Sequence, residues 1–171
     1  MVTHASNLAW SNNKCNSSTF ELIFQLIVQV IMFKLLIFHG GIDSLELDMA
    51  KKILLVDDEV DTATVFETVL KQAGYEVVIA NNASEALSTA KTGVFDLILM
   101  DQMMPDMSGN DALARLKADP ILGKIPVAML TNFSHDQLVT EALGRGAVDY
   151  ILKYQISHED LIAKVKGILG E

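Results

Sequence analysis

Four apolar runs in this chain each end on a polar side chain, and this recurrence limits the fold more than any other feature. Ile53-Leu54-Leu55-Val56 stops at Asp57-Asp58, Leu97-Ile98-Leu99-Met100 at Asp101, Val127-Ala128-Met129-Leu130 at Thr131, and Val148 to Leu152 at Lys153. Apolar runs of this length, the first three unbroken, suit parallel strands covered by helices on both faces, and such sheets bind ligands in the crevice beyond the strands' carboxyl ends. The four polar endings therefore belong to one site.

Helical patterns separate these runs. Val65, Phe66, Val69 and Leu70 recur at helical spacing and stop at Gly74, and Glu76 to Ala80 then reads as a further strand. Asn82 with Glu85, Ser108 with Asp111, Ser134 with Gln137 and Ser157 with Asp160 each open a helix; the second ends before Asp119-Pro120, the third at Gly144, and the last is buried through Leu161, Val165, Ile168 and Leu169. Five strands and five helices alternate. With right-handed crossovers and short loops, the expected fold is a doubly wound, flavodoxin-like α/β domain, (βα)5, whose five-stranded parallel sheet has the order 2-1-3-4-5. In that order the strands ending at Asp57, Asp101 and Thr131 are central neighbours.

The patterned region starts near Met49. Residues 1–48 hold the only Trp, the only Cys (Cys15) and two basic residues, and include an apolar stretch, 20–38, broken by Glu21, Gln25, Gln29 and Lys34. Polar residues at every fourth position mark one helix face rather than a clean membrane span, and the leading residues lack the basic start of a secretory signal. The expected organisation is a leader over 1–48, read as upstream sequence ahead of a start at Met49, and one domain over 49–171. Membrane association would require residues 20–38 to be expressed and inserted. A lone cysteine forms no internal disulfide, and the expected compartment is the cytoplasm. With 22 acidic against 13 basic residues, a net charge of -9 and no dense basic cluster, the composition argues against nucleic acid as a partner.

Three converging carboxylates need a cation. Two unit charges 4 Å apart repel by about 1 kcal/mol in water and about 4 kcal/mol at an effective dielectric of 20. Lys153 supplies one positive charge, and Mg2+ (or Mn2+) suits the rest, since it takes oxygen ligands and is commonly held by one or two carboxylates together with a phosphate. With that screening, Asp101 is the best-placed nucleophile toward phosphorus, Asp57 and Asp58 suit the metal, and Lys153 and the Thr131 hydroxyl can neutralise the growing charge.

Lys-Lys-Ile-Leu-Leu-Val-Asp57-Asp58-Glu59, Asp96-Leu-Ile-Leu-Met-Asp101-Gln-Met-Met-Pro105-Asp-Met-Ser-Gly109, Pro126-Val-Ala-Met-Leu-Thr131 and Tyr150-Ile-Leu-Lys153 together resemble the receiver domain of bacterial two-component response regulators, over Met49 to Glu171. The resemblance is closest to single-domain, chemotaxis-regulator-like members. It implies that Asp101 is the phosphoacceptor and that Asp57, Asp58, Asp101 and the backbone carbonyl of Met103 bind the metal. It further implies that Thr131 contacts the phosphoryl oxygen and that Lys153 pairs with the phosphorylated aspartate. Thr131 and Tyr150 would form the switch, and Met103 and Phe133 would tune the phosphoryl lifetime; both are apolar, which predicts slow self-hydrolysis. The implied partners are a sensor histidine kinase or histidine phosphotransfer protein, and a downstream target protein. Two positions depart from the family. Tyr154 follows Lys153 where a cis proline is usual, and Asn132 follows Thr131 where a small residue is usual.

Taken singly, these residues have ordinary structural readings: a helix N-cap for Asp58 or Asp101, a solvated cation for Lys153, a turn former for Thr131, a strand aromatic for Tyr150. Their convergence favours the functional reading. His135 and His158 read as exposed bystanders at helix starts, and Met103, Met104 and Met107 as packing or loop-shaping residues. The expected function is a single-domain response regulator signalling through a phosphorylation-dependent protein–protein switch, a phosphoacceptor rather than an enzyme. The alternatives are a phosphorylation-independent interaction module and an aspartate-dependent phosphohydrolase; the latter wants a second acid two residues after the nucleophile, where Met103 stands.

Overall fold

Parallel strands need crossovers, and the alternation of apolar runs with capped helical segments supplies them. The computed structural model describes residues 50–171; the expected leader, including 20–38 and Cys15, lies outside the described residues. The strands are β1 Lys52–Val56, β2 Glu76–Ala80, β3 Leu97–Met100, β4 Val127–Thr131 and β5 Asp149–Leu152. The helices are α1 Val60–Gln72, α2 Ala83–Thr92, α3 Gly109–Ala118, α4 Asp136–Gly144 and α5 His158–Leu169, with a 3-10 turn over Leu122–Lys124. All pairings are parallel and the order is β2-β1-β3-β4-β5, the doubly wound arrangement expected from the sequence.

Side chains alternate between two cores. Leu54, Val56, Ile98, Met100, Val127 and Met129 face the side that carries α2, α3 and α4. Ile53, Leu55, Leu97, Leu99, Ala128 and Leu130 face the side that carries α1 and α5. Because helices cover both faces, the central strands have no solvated side, which is why their sequences read as continuous apolar runs. Fully burying each such Leu or Ile contributes about 1.5–3 kcal/mol.

Capping chemistry sets the helix starts. The side chains of Asn82, Ser108 and Ser157 accept hydrogen bonds from the backbone N–H groups of Glu85, Asp111 and Asp160 at 2.8, 3.1 and 3.1 Å, so three of the four expected pairs form. The fourth does not. α4 starts at Asp136 with His135 at its N-cap and no side-chain cap bond, leaving Ser134 in the preceding loop. α1 ends before Gly74, whose φ of 98° is a left-handed conformation that a residue with a Cβ adopts only under strain. Among the described residues no helix is long and apolar enough to cross a membrane.

Candidate functional site

Strand register builds the site. Val56 lies opposite Met100, so Asp57 and Asp101, one residue further along β1 and β3, emerge side by side; the Asp101 N–H donates to the Val56 carbonyl at 2.9 Å. Thr131 ends β4, and the Lys153 N–H donates to its carbonyl at 2.9 Å, which fixes the residue after β5 beside it. The Lys153 ammonium lies 2.7 Å from Asp57 Oδ2 and 3.4 Å from Asp101 Oδ2, with side-chain exposures of only 4%, 1% and 10% for Lys153, Asp57 and Asp101. Such burial removes most solvent screening of the attraction between these groups, and it also strips each charge of its hydration, which opposes that gain.

One ligand oxygen from each of Asp57, Asp58 and Asp101 lies within 4.8 Å of the others, with Asp58 exposed to solvent and the other two buried. Three carboxylates against one ammonium leave an excess of two negative charges. Burial pushes the Asp57 carboxyl above the usual carboxylate range, although Lys153 and the Glu59 N–H act to lower it. A hard divalent cation fits this donor set and this charge, with Asp58 open to water for a metal that keeps part of its hydration shell.

The remaining predicted residues occupy the same end of the sheet. Thr131 is fully buried, and its hydroxyl accepts from the Phe133 N–H at 3.3 Å. Tyr150, half-buried against the α2–α4 core, donates its hydroxyl to the Phe133 carbonyl at 2.7 Å. Its phenol is pushed up by burial first and by the charge of Asp101 second. Phe133 thus touches both Thr131 and Tyr150 through its backbone, while its side chain and that of Met103 are exposed. The described residues contain no cis peptide, so Lys153–Tyr154 is trans. Tyr154 lines a groove of about 320 Å³ with Lys153, Asn132, Thr62, Phe66 and His158. His135 is exposed at the start of α4, as expected.

Four neighbours of the site escaped the sequence reading. The Gln102 N–H donates to Asp101 Oδ1 at 2.6 Å. Gly109 packs so tightly that a Cβ built on it would overlap the Asp101 carbonyl oxygen. Asp106 accepts from the N–H groups of Ala83 and Ser84 at 3.1 and 2.8 Å, closing the start of α2 from the loop that follows Asp101. Asn110 is 2% exposed and reaches α4. Only Gly109 carried a local signal, its place beside the Ser108 cap; the others act across 22 residues or more, or through a backbone group.

The family model for the response regulator receiver domain matches residues 53–166. The chain belongs to that family. Among curated relatives, the transcriptional regulatory protein ZraR of Escherichia coli is 39% identical over 101 residues, 59% of this chain and 22% of that protein. The phosphate regulon transcriptional regulatory protein PhoB of Pseudomonas aeruginosa is 37% identical over 121 residues, 71% of this chain and 52% of that protein. This chain thus spans about a fifth of the length of the one and half of the other. A CheY-like receiver domain protein from Methanospirillum hungatei superposes with a TM-score of 0.67 at 31% identity, covering 71% of this chain and 94% of that one. Receiver domains are signalling modules of two-component systems that bind Mg2+ at an acidic pocket, and the Asp57, Asp58 and Asp101 cluster is the group among the described residues that could hold it.

Proposed function

We propose that this receiver accepts a phosphoryl group on Asp101 from a phosphohistidine of a sensor kinase or phosphotransfer protein, and signals to a target protein through Thr131 and Tyr150. The observation that carries this reading is the juxtaposition of buried Asp57, Asp101 and Lys153, with the solvent-exposed Asp58 carboxylate beside the other two acids. Asp57, Asp58, Asp101 and the Met103 carbonyl would hold Mg2+ (or Mn2+), which when bound neutralises charge on the phosphoryl oxygens. A carboxylate oxygen of Asp101 forms the new O–P bond as the donor N–P bond breaks, and the electron pair of that bond leaves with the imidazole. Lys153, already within 3.4 Å of Asp101, compensates the charge that arrives with the phosphoryl group.

The response follows from the Phe133 backbone. The Thr131 hydroxyl accepts one long bond, from the Phe133 N–H, and gives it up as it turns to donate its O–H to a phosphoryl oxygen when one is present. That exchange releases the loop to which the Tyr150 hydroxyl is bonded, so the phosphorylated state differs in contacts at both residues. A differential interaction of this kind is what a two-state equilibrium requires. The exposed side chains of Met103 and Phe133 follow Asp101 and Thr131 by two residues each and shield the phosphoryl group from water, giving slow self-hydrolysis. The named relatives are transcriptional regulators of which this chain spans only a part, and its net charge of -9 points to a protein target.

Intact-mass analysis after incubation with acetyl phosphate and Mg2+ tests the reading. A single phosphoryl adduct is expected, absent in Asp101→Asn and after chelation. A folded protein with Mg2+ present and no adduct would instead favour a phosphorylation-independent module, with Tyr154 in its trans linkage and Asn132 as the altered loop positions.

A further inference from the structure

Helix α4 is held to the domain mainly by polar groups. Ala142 is its one buried residue, and its N-terminus has no side-chain cap. Two residues of α3 and one following α4 supply the attachment. The Asn110 amide donates to the Leu138 carbonyl at 3.3 Å and to Glu141 Oε2 at 3.2 Å. From the other side, Arg145 Nη1 donates to the Asn110 carbonyl at 2.7 Å and to Asp111 Oδ1 at 3.1 Å, while Nη2 pairs with Glu141 Oε1 at 2.5 Å. The guanidinium thus clamps the first turn of α3 onto the last turn of α4.

The same turn of α3 is tied to Asp101. The Gln102 N–H donates to Asp101 Oδ1, the Gly109 N–H donates to the Gln102 carbonyl at 2.9 Å, and Gly109 immediately precedes Asn110. Contact between Gly109 and the Asp101 carbonyl leaves no slack in this path. We propose that Asn110 and Arg145 are positioning residues that carry the state of Asp101 to α4 through the start of α3, a route separate from Thr131 and Tyr150.

The proposal rests on the reading of Asp101 as phosphoacceptor. The 2.6 Å bond from the Gln102 N–H is charge-assisted while Asp101 is a carboxylate. Phosphorylation turns the carboxylate into an acyl phosphate, so Oδ1 loses its anionic character and the bond weakens. Gln102 Oε1 and Asn110 Oδ1 are both buried acceptors without a partner, at 2% residue exposure each. The polar groups of this junction are therefore incompletely satisfied in the arrangement described, and a shift of α3 against α4 has acceptors to satisfy.

Hydrogen–deuterium exchange of Asp136–Gly144 in the full chain, before and after treatment with acetyl phosphate and Mg2+, provides the test, with phosphoryl stoichiometry read in parallel by intact mass. Asn110→Ala and Arg145→Gln are expected to reach wild-type stoichiometry while the phosphorylation-dependent change in α4 exchange falls to half or less. Arg145→Lys, which keeps one donor for the Asn110 carbonyl, should recover part of it. Arg145 is one-third exposed, so its variants fold even where Asn110→Ala does not. A purely structural clamp would raise α4 exchange equally in both states; an undiminished phosphorylation-dependent difference in both variants overturns the proposal. So does a phosphorylated wild type with unchanged α4 exchange. Absence of any adduct on the wild type overturns the phosphoacceptor reading, and this proposal with it.

Discussion

β1 buries every side chain from Ile53 to Val56 and β3 every one from Leu97 to Met100, whereas β5 buries Ile151 alone and α4, packed beside it, buries only Ala142. The site straddles these two regions: Asp57 and Asp101 stand on the buried strands, Lys153 on the end of the thinly buried one. A reacting carboxylate needs a fixed position, and residues whose backbone follows fully packed strands have one. A responding element needs a second arrangement within a few kcal/mol, which a helix held by an amide, a guanidinium and one alanine can have. On the proposed reading, chemistry and response thus sit on opposite sides of a stability difference between the central strands and α4.

Substitutions in the buried strands give the largest effect. Leu99→Ala removes a fully buried side chain from β3 and is expected to cost about 2–5 kcal/mol in urea denaturation, without altering the site's charges. A loss below about 1 kcal/mol would mean that the centre of the sheet is no more rigid than its edge, and would break the comparison.

The next effect concerns the site itself. At a hundredfold excess over its dissociation constant, Mg2+ should stabilise the folded chain by about 2.7 kcal/mol, seen as a rise in Tm that is absent in Asp57→Asn. Because the carboxylates belong to the strongly packed side, the ion should protect β1 and β3 amides from exchange more than those of α4. Uniform protection would show that the two regions respond as one body.

The difference between these regions also decides what the sequence could reveal. Continuous apolar runs and three local capping pairs are written in adjacent residues, so the fold, its strand order and the polar endings of the strands were legible. The start of α4 was not: the helix ends at Gly144 as expected, but its predicted Ser134 cap does not form, and the bonds that Asn110 and Arg145 make at α4 span 28 to 35 residues. Asp106 was missed for the same reason. It lies in the loop after Asp101, yet its carboxylate serves the first N–H groups of α2, 22 and 23 residues earlier.

Two aspartates respond to pH in opposite directions. The Ser84 hydroxyl first, then the N–H groups of Ser84, Ala83 and Met107, lower the Asp106 carboxyl to about 2, while burial raises that of Asp57. A lowered acid adds stability above its unfolded value of 3.8, and that contribution disappears as pH falls toward about 2. A raised acid does the reverse: its ionisation weakens the folded state as pH climbs above 3.8. In EDTA, Asp106→Asn should lower Tm at pH 6 and match the wild type near pH 2, whereas Asp57→Asn should gain on the wild type as pH rises. Parallel Tm–pH curves for the two variants would contradict both assignments.

The smallest expected effect lies on α4. Leu143 is half-exposed, at 49%, and Leu143→Ala should change stability by no more than about 0.5 kcal/mol, against the several kcal/mol of Leu99→Ala. Both substitutions delete the same atoms, so their difference measures packing to within about 1 kcal/mol, the amount by which helix and strand propensities differ. If α4 is held by its polar clamp, Leu143→Ala also leaves the exchange of Asp136–Gly144 unchanged, while Arg145→Gln, which removes the guanidinium and only one methylene, speeds it. Faster exchange in Leu143→Ala would show instead that α4 depends on apolar contact after all, and that its readiness to move has a source other than the Asn110–Arg145 junction.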